Sequence, residues 1–358
     1  MFSKLLLSLS PLSVSTVLFF PLKVLIQLWR SLIQQVRQVL PADQRLWHGL
    51  EVHAVDATSL CLPESLWPWF GAHSGLRGQG PVQSHSLFIY DVLARIPIKV
   101  RAGRVHDDER PMLQKLLPAI VKPGLILLVD SIFYSFEILA TLAHLKGHWI
   151  VPLRANAKPK LLKRFSQNDG LYQILNNKHN KALKTLPDIL LVRIVTVYRP
   201  GFRPRQLVTS LLDPLEFPFE EIAQLYHQRW HIETFFREFK QTLLRQHWHA
   251  QTPHAFYTEL LFFMLLTCLT RLAMAQSGIS PALLSFQKSL SLIKRALALS
   301  AFVSEPQWTL LYQQTLDSLA TCKINIKDNR SFERDTQKRR KQSRSRKYQH
   351  LKDIRLAA

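Results

Sequence analysis

The sequence predicts an α/β fold with a helical C-terminal part, on three observations. LEVHAVDATSLCL alternates and is rich in valine, as a strand is. GLILLVDSIF is continuously apolar behind Pro123-Gly124, which marks a strand covered on both faces. Helical periodicity then sets in at PFEEIAQLYHQRWHIETFFREFKQTLL and continues through HAFYTELLFFMLLTCLTRLAM.

The remaining elements follow in order. Leu25, Leu28, Trp29, Leu32, Val36 and Val39 recur at helical spacing up to Pro41, with Arg30, Gln34 and Arg37 on the wet side. Asp56 stands near the end of the first strand, and HSLFIYDVL and IPIKVRAG read as two more. HDDERPMLQKLLPAI opens on acids, as a helix dipole favours. The buried strand ends at Asp130 and a helix follows to about residue 145. WIVPLRAN, ILLVRIVTVY and RQLVTSLL then read as a mostly β insertion. The organisation expected is an N-terminal helical segment over 1–45, a first core part over 46–147, the β-rich insertion over 148–214, a second core part with the C-terminal helices over 215–322, and a basic tail over 323–358.

A chain of 358 residues, 47% hydrophobic, buries a sizeable core and is too apolar for a disordered protein. Lysine and arginine number 47 against 25 acids, a net charge of +22 that favours a polyanionic partner. The last 36 residues carry 13 basic and four acidic side chains, so +13 remains outside the tail. The three cysteines, Cys61, Cys268 and Cys322, are too few and too scattered for a disulfide framework or a cysteine zinc site, which points to a reducing, cytoplasmic setting. Residues 5–22 are uncharged, but Pro11, Pro21 and several serines break them as a membrane span. The run at 260–270 lies between Glu259 and Arg271 and reads as core. A soluble, membrane-free protein is expected.

Tyr226, Arg229, Glu233 and Lys240 are three, four and seven positions apart, within an arc of roughly 60° on an ideal helix. A carboxylate between a phenol and two cations suits a phosphate substrate with a bound metal, and equally a salt-bridged, solvated face. Asp56 and Asp130 at strand ends add two hard ligands, or are ordinary turn residues. Three such carboxylates would hold Mg²⁺ or Mn²⁺, and two ions about 4 Å apart serve in-line phosphoryl transfer.

Tyr226-x2-Arg229-x3-Glu233-x6-Lys240 resembles the YREK signature of the insertion-sequence-four family of DDE transposases. TSLLDPLEFPFEEIAQLYHQRWHIETFFREFK is similar to that family's segment throughout, AVDATSL to its first-aspartate strand, PGLILLVDSIFYSFEIL to its second, and RSFERDTQKRRKQSRSRKY to its terminal basic stretch. The resemblance covers roughly residues 51–351. It implies a ribonuclease-H-like core with the β insertion between the second aspartate and the glutamate. It implies Asp56, Asp130 and Glu233 as catalytic residues holding two ions of Mg²⁺ or Mn²⁺. Tyr226, Arg229 and Lys240, with Arg237 on the same face, would grip DNA phosphates at the element's terminal inverted repeats. Cleavage there and strand transfer into target DNA would proceed in a homodimer. The chain departs from the pattern at Ser131-Ile132, where the family has arginine-glycine, and at Pro152, where arginine is common.

Other readings start from the same residues. A metal-dependent nuclease without strand transfer and an inactive DNA-binding relic share the site. His227 and His231 in HQRWH come one residue short of a zinc-protease pattern, with Gln228 where the base should stand. His247 and His249 flank Trp248 where nucleic acid or plain packing would use them, and the acids of HDDERP read as a helix start.

Overall fold

A computed structural model describes residues 21–75, 78–176, 185–198, 204–243 and 248–324. The apolar stretch before residue 21, His247 and the basic tail beyond residue 324 lie outside the described residues. The described residues from 21 to 197 and from 205 to 324 belong to one compact unit.

The fold is mixed α/β around one large sheet. β1 (Glu51–Cys61), β3 (Gly78–Asp91) and β4 (Ile96–Arg104) form an antiparallel meander, with the short β2 (Ala72–Gly75) on the outer part of β3. The chain crosses one face as α3 (Glu109–Ile120) and returns as β5 (Leu125–Val129), parallel to β1. Gly124 makes that return with φ +82°, a left-handed conformation that glycine adopts without a Cβ clash. α4 (Phe136–His144) leads to β6 (His148–Pro152), parallel to β5. β7 (Lys160–Ser166), β8 (Asp169–Leu175), β9 (Ile189–Val197) and β10 (Arg205–Thr209) continue the same sheet, β10 pairing with β6, in the order β2-β3-β1-β5-β6-β10-β9-β8-β7.

Alternation assigns the sheet's two faces. Val52 and Ala54 of β1 and Ile126 and Leu128 of β5 join one core; Val55, Leu125, Leu127 and Val129 join the other. All five residues of β5 are buried, as a strand covered on both faces requires. The second face carries α3 and α4 through Leu113, Leu117, Leu139 and Leu142. The first carries α1 (Leu22–Val39), α5 (Phe219–His227), α6 (Trp230–Glu238) and α7 (Pro253–Gln276).

One helix differs from the sequence expectation, and another runs through its charges as the periodicity predicts. Arg37 of α1 leaves the wet side and turns onto the sheet. Its Nη2 stands 2.8 Å from Asp91, which is fully buried, and 2.9 Å from His53. The buried carboxylate draws the cation in, because an unpaired charge there would be costly. α7 is 24 residues long and does not stop at its charges. Thr252 caps it, Glu259 accepts the amide of His249, and Arg271 binds Glu238 at 2.6 Å, so both charges are paired inside the helix. It is long and apolar enough to cross a membrane, yet 67% of its apolar window is buried in the protein, as in a core helix.

Candidate active site

Asp56 and Asp130 are brought together by strand register. Val55 of β1 pairs with Val129 of β5 in parallel. The residue after each therefore points to the same face, one strand spacing of about 4.8 Å apart. That face is the one covered by α5 and α6. The two differ in setting. Asp56 lies in the middle of β1 and not near its end, because the pairing with β3 runs on to Cys61, and it accepts the Ala57 amide at 2.9 Å. Asp130 follows the last residue of β5 and caps a short helical turn through the Ser131 amide at 2.6 Å. The turn reading therefore describes Asp130 alone.

The helix opposite is not continuous. Gln228 and Arg229 donate their amides to Leu225 and Tyr226, three residues back, and His231 and Ile232 do the same. This 3₁₀ turn separates α5 from α6. Residues three apart eclipse in an ideal 3₁₀ turn instead of lying about 60° apart, so the tightened turn changes the angle between Tyr226 and Arg229 from that of a regular helix. After α6 the winding loosens into a π-helical turn, Phe239–Leu243, which carries Lys240. One regular helix face therefore does not describe the four residues: a tightened turn places two of them and a loosened one re-aims the last.

Arg229 is the hub of the result. Its Nη1 donates to Asp56 Oδ2 at 3.0 Å and its Nη2 to Glu233 Oε1 at 2.9 Å. The side chain is 9% exposed, and its Nε is buried without a hydrogen-bond partner among the described residues. Burial opposes the guanidinium charge, but Tyr226, Asp56, Asp130 and Glu233 outweigh it and hold its pKa above the ordinary value. Asp130 thus acts on the same cation that Asp56 and Glu233 bind directly. Tyr226 is buried, its hydroxyl donates to Val129 O at 3.3 Å, and Arg205 lies over its ring at 5.8 Å. Burial pushes the phenol up to about 12. Arg237 and Lys240 are both exposed. Burial lowers the Lys240 pKa, while the Cys61 thiol at the far end of β1 opposes that shift.

Burial raises the Asp56 carboxyl to about 6, against Arg229 and the Ala57 amide, with Glu109 and Glu233 adding repulsion. Glu109, at the start of α3, was not singled out by its sequence. It meets His85 of β3 at 3.1 Å and raises that histidine's pKa. The only trace in the sequence was the acid run of HDDE, where Asp108 is the cap and Glu109 faces the sheet. The zinc alternative fails on geometry. His231 uses both ring nitrogens, on Arg95 at 3.1 Å and on the Val92 carbonyl at 3.3 Å, and burial takes its pKa down to about 4.

The Asp56 shift has a measurable sign. The folded state holds this proton up to about pH 6 and the unfolded chain only to about 3.8. The contribution of Asp56 to stability is therefore fully present below about pH 3.8 and is lost as pH rises through about 6, by at most about 3 kcal/mol for a shift of about two units. Asp56→Asn should remove the decline. Its melting temperature should exceed the wild type's at pH 8 and match it at pH 4; equal values at both would refute the assignment.

Two carboxylates on one buried cation, with a third acting on its charge, offer hard oxygen donors of the kind a divalent ion takes. Among the described residues, however, no group of three His, Cys, Asp or Glu stands close enough to hold a metal. The guanidinium joins the oxygens of Asp56 and Glu233.

A family model described as "Transposase DDE domain" matches residues 47–269, which include Asp56, Asp130 and Glu233. "Transposase InsG for insertion sequence element IS4" of Escherichia coli (strain K12) is 26% identical over 289 residues, 74% of this chain and 64% of that protein. "Probable transposase for insertion sequence element IS5377" of Geobacillus stearothermophilus is 24% identical over 247 residues, 66% of this chain and 61% of that protein. The chain spans less than two thirds of the length of either relative. The solved structure of the piggyBac transposase synaptic complex with hairpin DNA is 10% identical, with a TM-score of 0.39 over 78% of this chain and 59% of that one. The match over more than half its length places the chain in the family of transposase DDE domains.

Proposed function

We propose that the chain is a DNA transposase that cleaves insertion-sequence ends and joins them to target DNA. Asp56, Asp130 and Glu233 would hold two Mg²⁺ or Mn²⁺ ions on a ribonuclease-H-like core. The observation that carries this is the single guanidinium spanning Asp56 and Glu233, beside the strand end that delivers Asp130. A meander followed by two strands parallel to its first, β5 and β6, supports that core, and the residual +13 outside the tail supports DNA as the partner.

When bound, the ions supply Lewis-acid activation of the attacking oxygen and charge compensation at the phosphoryl group. The chain's own residues set the rest. β1 and β5 fix two carboxylates on a rigid sheet, and α6 brings the third. Arg229, Arg237 and Lys240 take the strand's phosphates, and Tyr226, anchored on Val129, orients Arg229 for that contact. In the first step water attacks the scissile phosphorus and the 3′ oxygen leaves as a hydroxyl. In the second that hydroxyl attacks a target phosphodiester and displaces its 3′ oxygen. Two ends must be held together, so the working form is a homodimer, acting in the cytoplasm.

The test is Mg²⁺-dependent cleavage and joining on DNA carrying the element's own terminal repeats. Joined products are expected. Cleavage without joining would make the chain a nuclease, and binding without either would make it an inactive relic. Arg237→Ala and Lys240→Ala should each reduce the salt dependence of DNA binding by roughly one phosphate contact. Unchanged slopes would remove these residues from the DNA surface.

A further inference from the structure

We propose that Arg229 is the resident counter-ion of the carboxylate centre, exchanged for metal only when DNA arrives. The inference rests on the metal-centre reading above and goes beyond it by coupling the two ligands. A guanidinium fork already occupies Asp56 Oδ2 and Glu233 Oε1, at 3.0 and 2.9 Å. Mg²⁺ needs oxygens about 2.0–2.1 Å from its own centre in near-octahedral order and gives up water reluctantly. Two amino groups of a planar cation lie between these oxygens, and their charge repels a second cation. The described residues accordingly contain no group of three ligands at metal reach.

The clamp is also poised to leave. Nε of Arg229 is buried and unsatisfied among the described residues, so the guanidinium has one donor still seeking an acceptor. A DNA phosphate offers two oxygens in the geometry that an arginine fork matches. Arg229 lies in the 3₁₀ turn between α5 and α6, four residues before Glu233 on the same chain segment. Transfer of the fork to a phosphate therefore vacates Asp56 and Glu233 together, and the site regains its full negative charge where the scissile strand lies. Metal entry would thus be confined to the DNA-bound protein, which limits stray hydrolysis by the free enzyme.

By linkage the coupling is reciprocal: DNA tightens metal binding by the factor that metal tightens DNA binding. The experiment is a Mn²⁺ titration of the full chain, followed by paramagnetic resonance of the free ion. It is run with and without a duplex cut from the element's end, with that duplex alone as the blank. Fluorescence anisotropy of the duplex gives the reciprocal arm. Wild type should bind Mn²⁺ at least about tenfold more tightly with DNA. Arg229→Gln should bind Mn²⁺ more tightly than wild type in the free protein, with the DNA effect reduced to within about twofold. Arg229→Lys, which keeps the charge but cannot fork, should fall between them and serves if the glutamine variant misfolds. Equal Mn²⁺ affinity with and without DNA, unaltered in both variants, overturns the inference while leaving the metal centre standing. Mn²⁺ binding that survives Glu233→Gln in the DNA complex, or is missing there from the wild type, overturns the metal-centre reading and the inference with it.

Discussion

Asp56→Ala, Asp130→Ala and Glu233→Ala are each expected to lower the single-turnover rate of DNA cleavage by roughly 10³-fold or more. The estimate follows from the charge stabilisation that a preorganised ionic centre gives phosphoryl transfer. DNA binding should fall far less, because the proposed phosphate contacts of Arg229, Arg237 and Lys240 remain. Asp56→Ala and Glu233→Ala should moreover free the Arg229 fork, so their affinity for DNA should stay level or rise. Asp130 binds no atom of that fork directly, and its removal should leave DNA affinity nearest to wild type. A loss of less than tenfold at any one of the three positions would remove it from the reaction.

Arg193→Ala is expected to cost about 3–5 kcal/mol of stability, the second large effect. Arg193 of β9 is fully buried and meets both oxygens of Asp169 on β8, its Nε at 2.8 Å. Its remaining amino group donates to the carbonyls of Phe217, at 2.6 Å, and Asp213, at 3.2 Å, just before α5. Truncation strands a carboxylate and two carbonyls in the interior. The loss should reach the site too, since Tyr226 and Arg229 follow on the chain that this residue ties down. Urea unfolding measures it. The paired change Arg193→Met with Asp169→Leu should recover most of the stability, because replacing both members of a buried ion pair by apolar groups is often neutral. A cost below about 1 kcal/mol for the single change would show that the pair does not anchor the added strands.

The site was legible to the extent that regular elements placed it. An alternating strand carrying Asp56 and a continuously apolar run ending before Asp130 are both strand signals, and parallel register brings the two aspartates onto neighbouring strands. Glu233 and Arg229, four apart, are a helix pair at any level of description. The helix irregularities were not legible. A wheel drawn at 100° per residue hides the 3₁₀ turn between Tyr226 and Glu233 and the π turn that carries Lys240. Charge type also misled where partners are distant in sequence. Arg37 reads as solvent-facing until Asp91, 54 residues on, is seen beneath it. Arg271 sits in a helical run whose sequence does not show its partner, Glu238, 33 residues before it. Glu109 approaches Asp56 only because a meander and a crossover fold one acid run back under β1.

The central claim is that Asp56, Asp130 and Glu233, from three distant parts of the chain, hold the metal at which DNA is cut. Replacing Mg²⁺ by Fe²⁺ in the protein–DNA complex and adding ascorbate and peroxide tests it most directly, since radicals formed at the ion cut the polypeptide beside it. Scission at all three of these positions, suppressed by excess Mg²⁺, is the result predicted. Scission confined to other segments, or the same pattern in a variant lacking all three carboxylates, would contradict it.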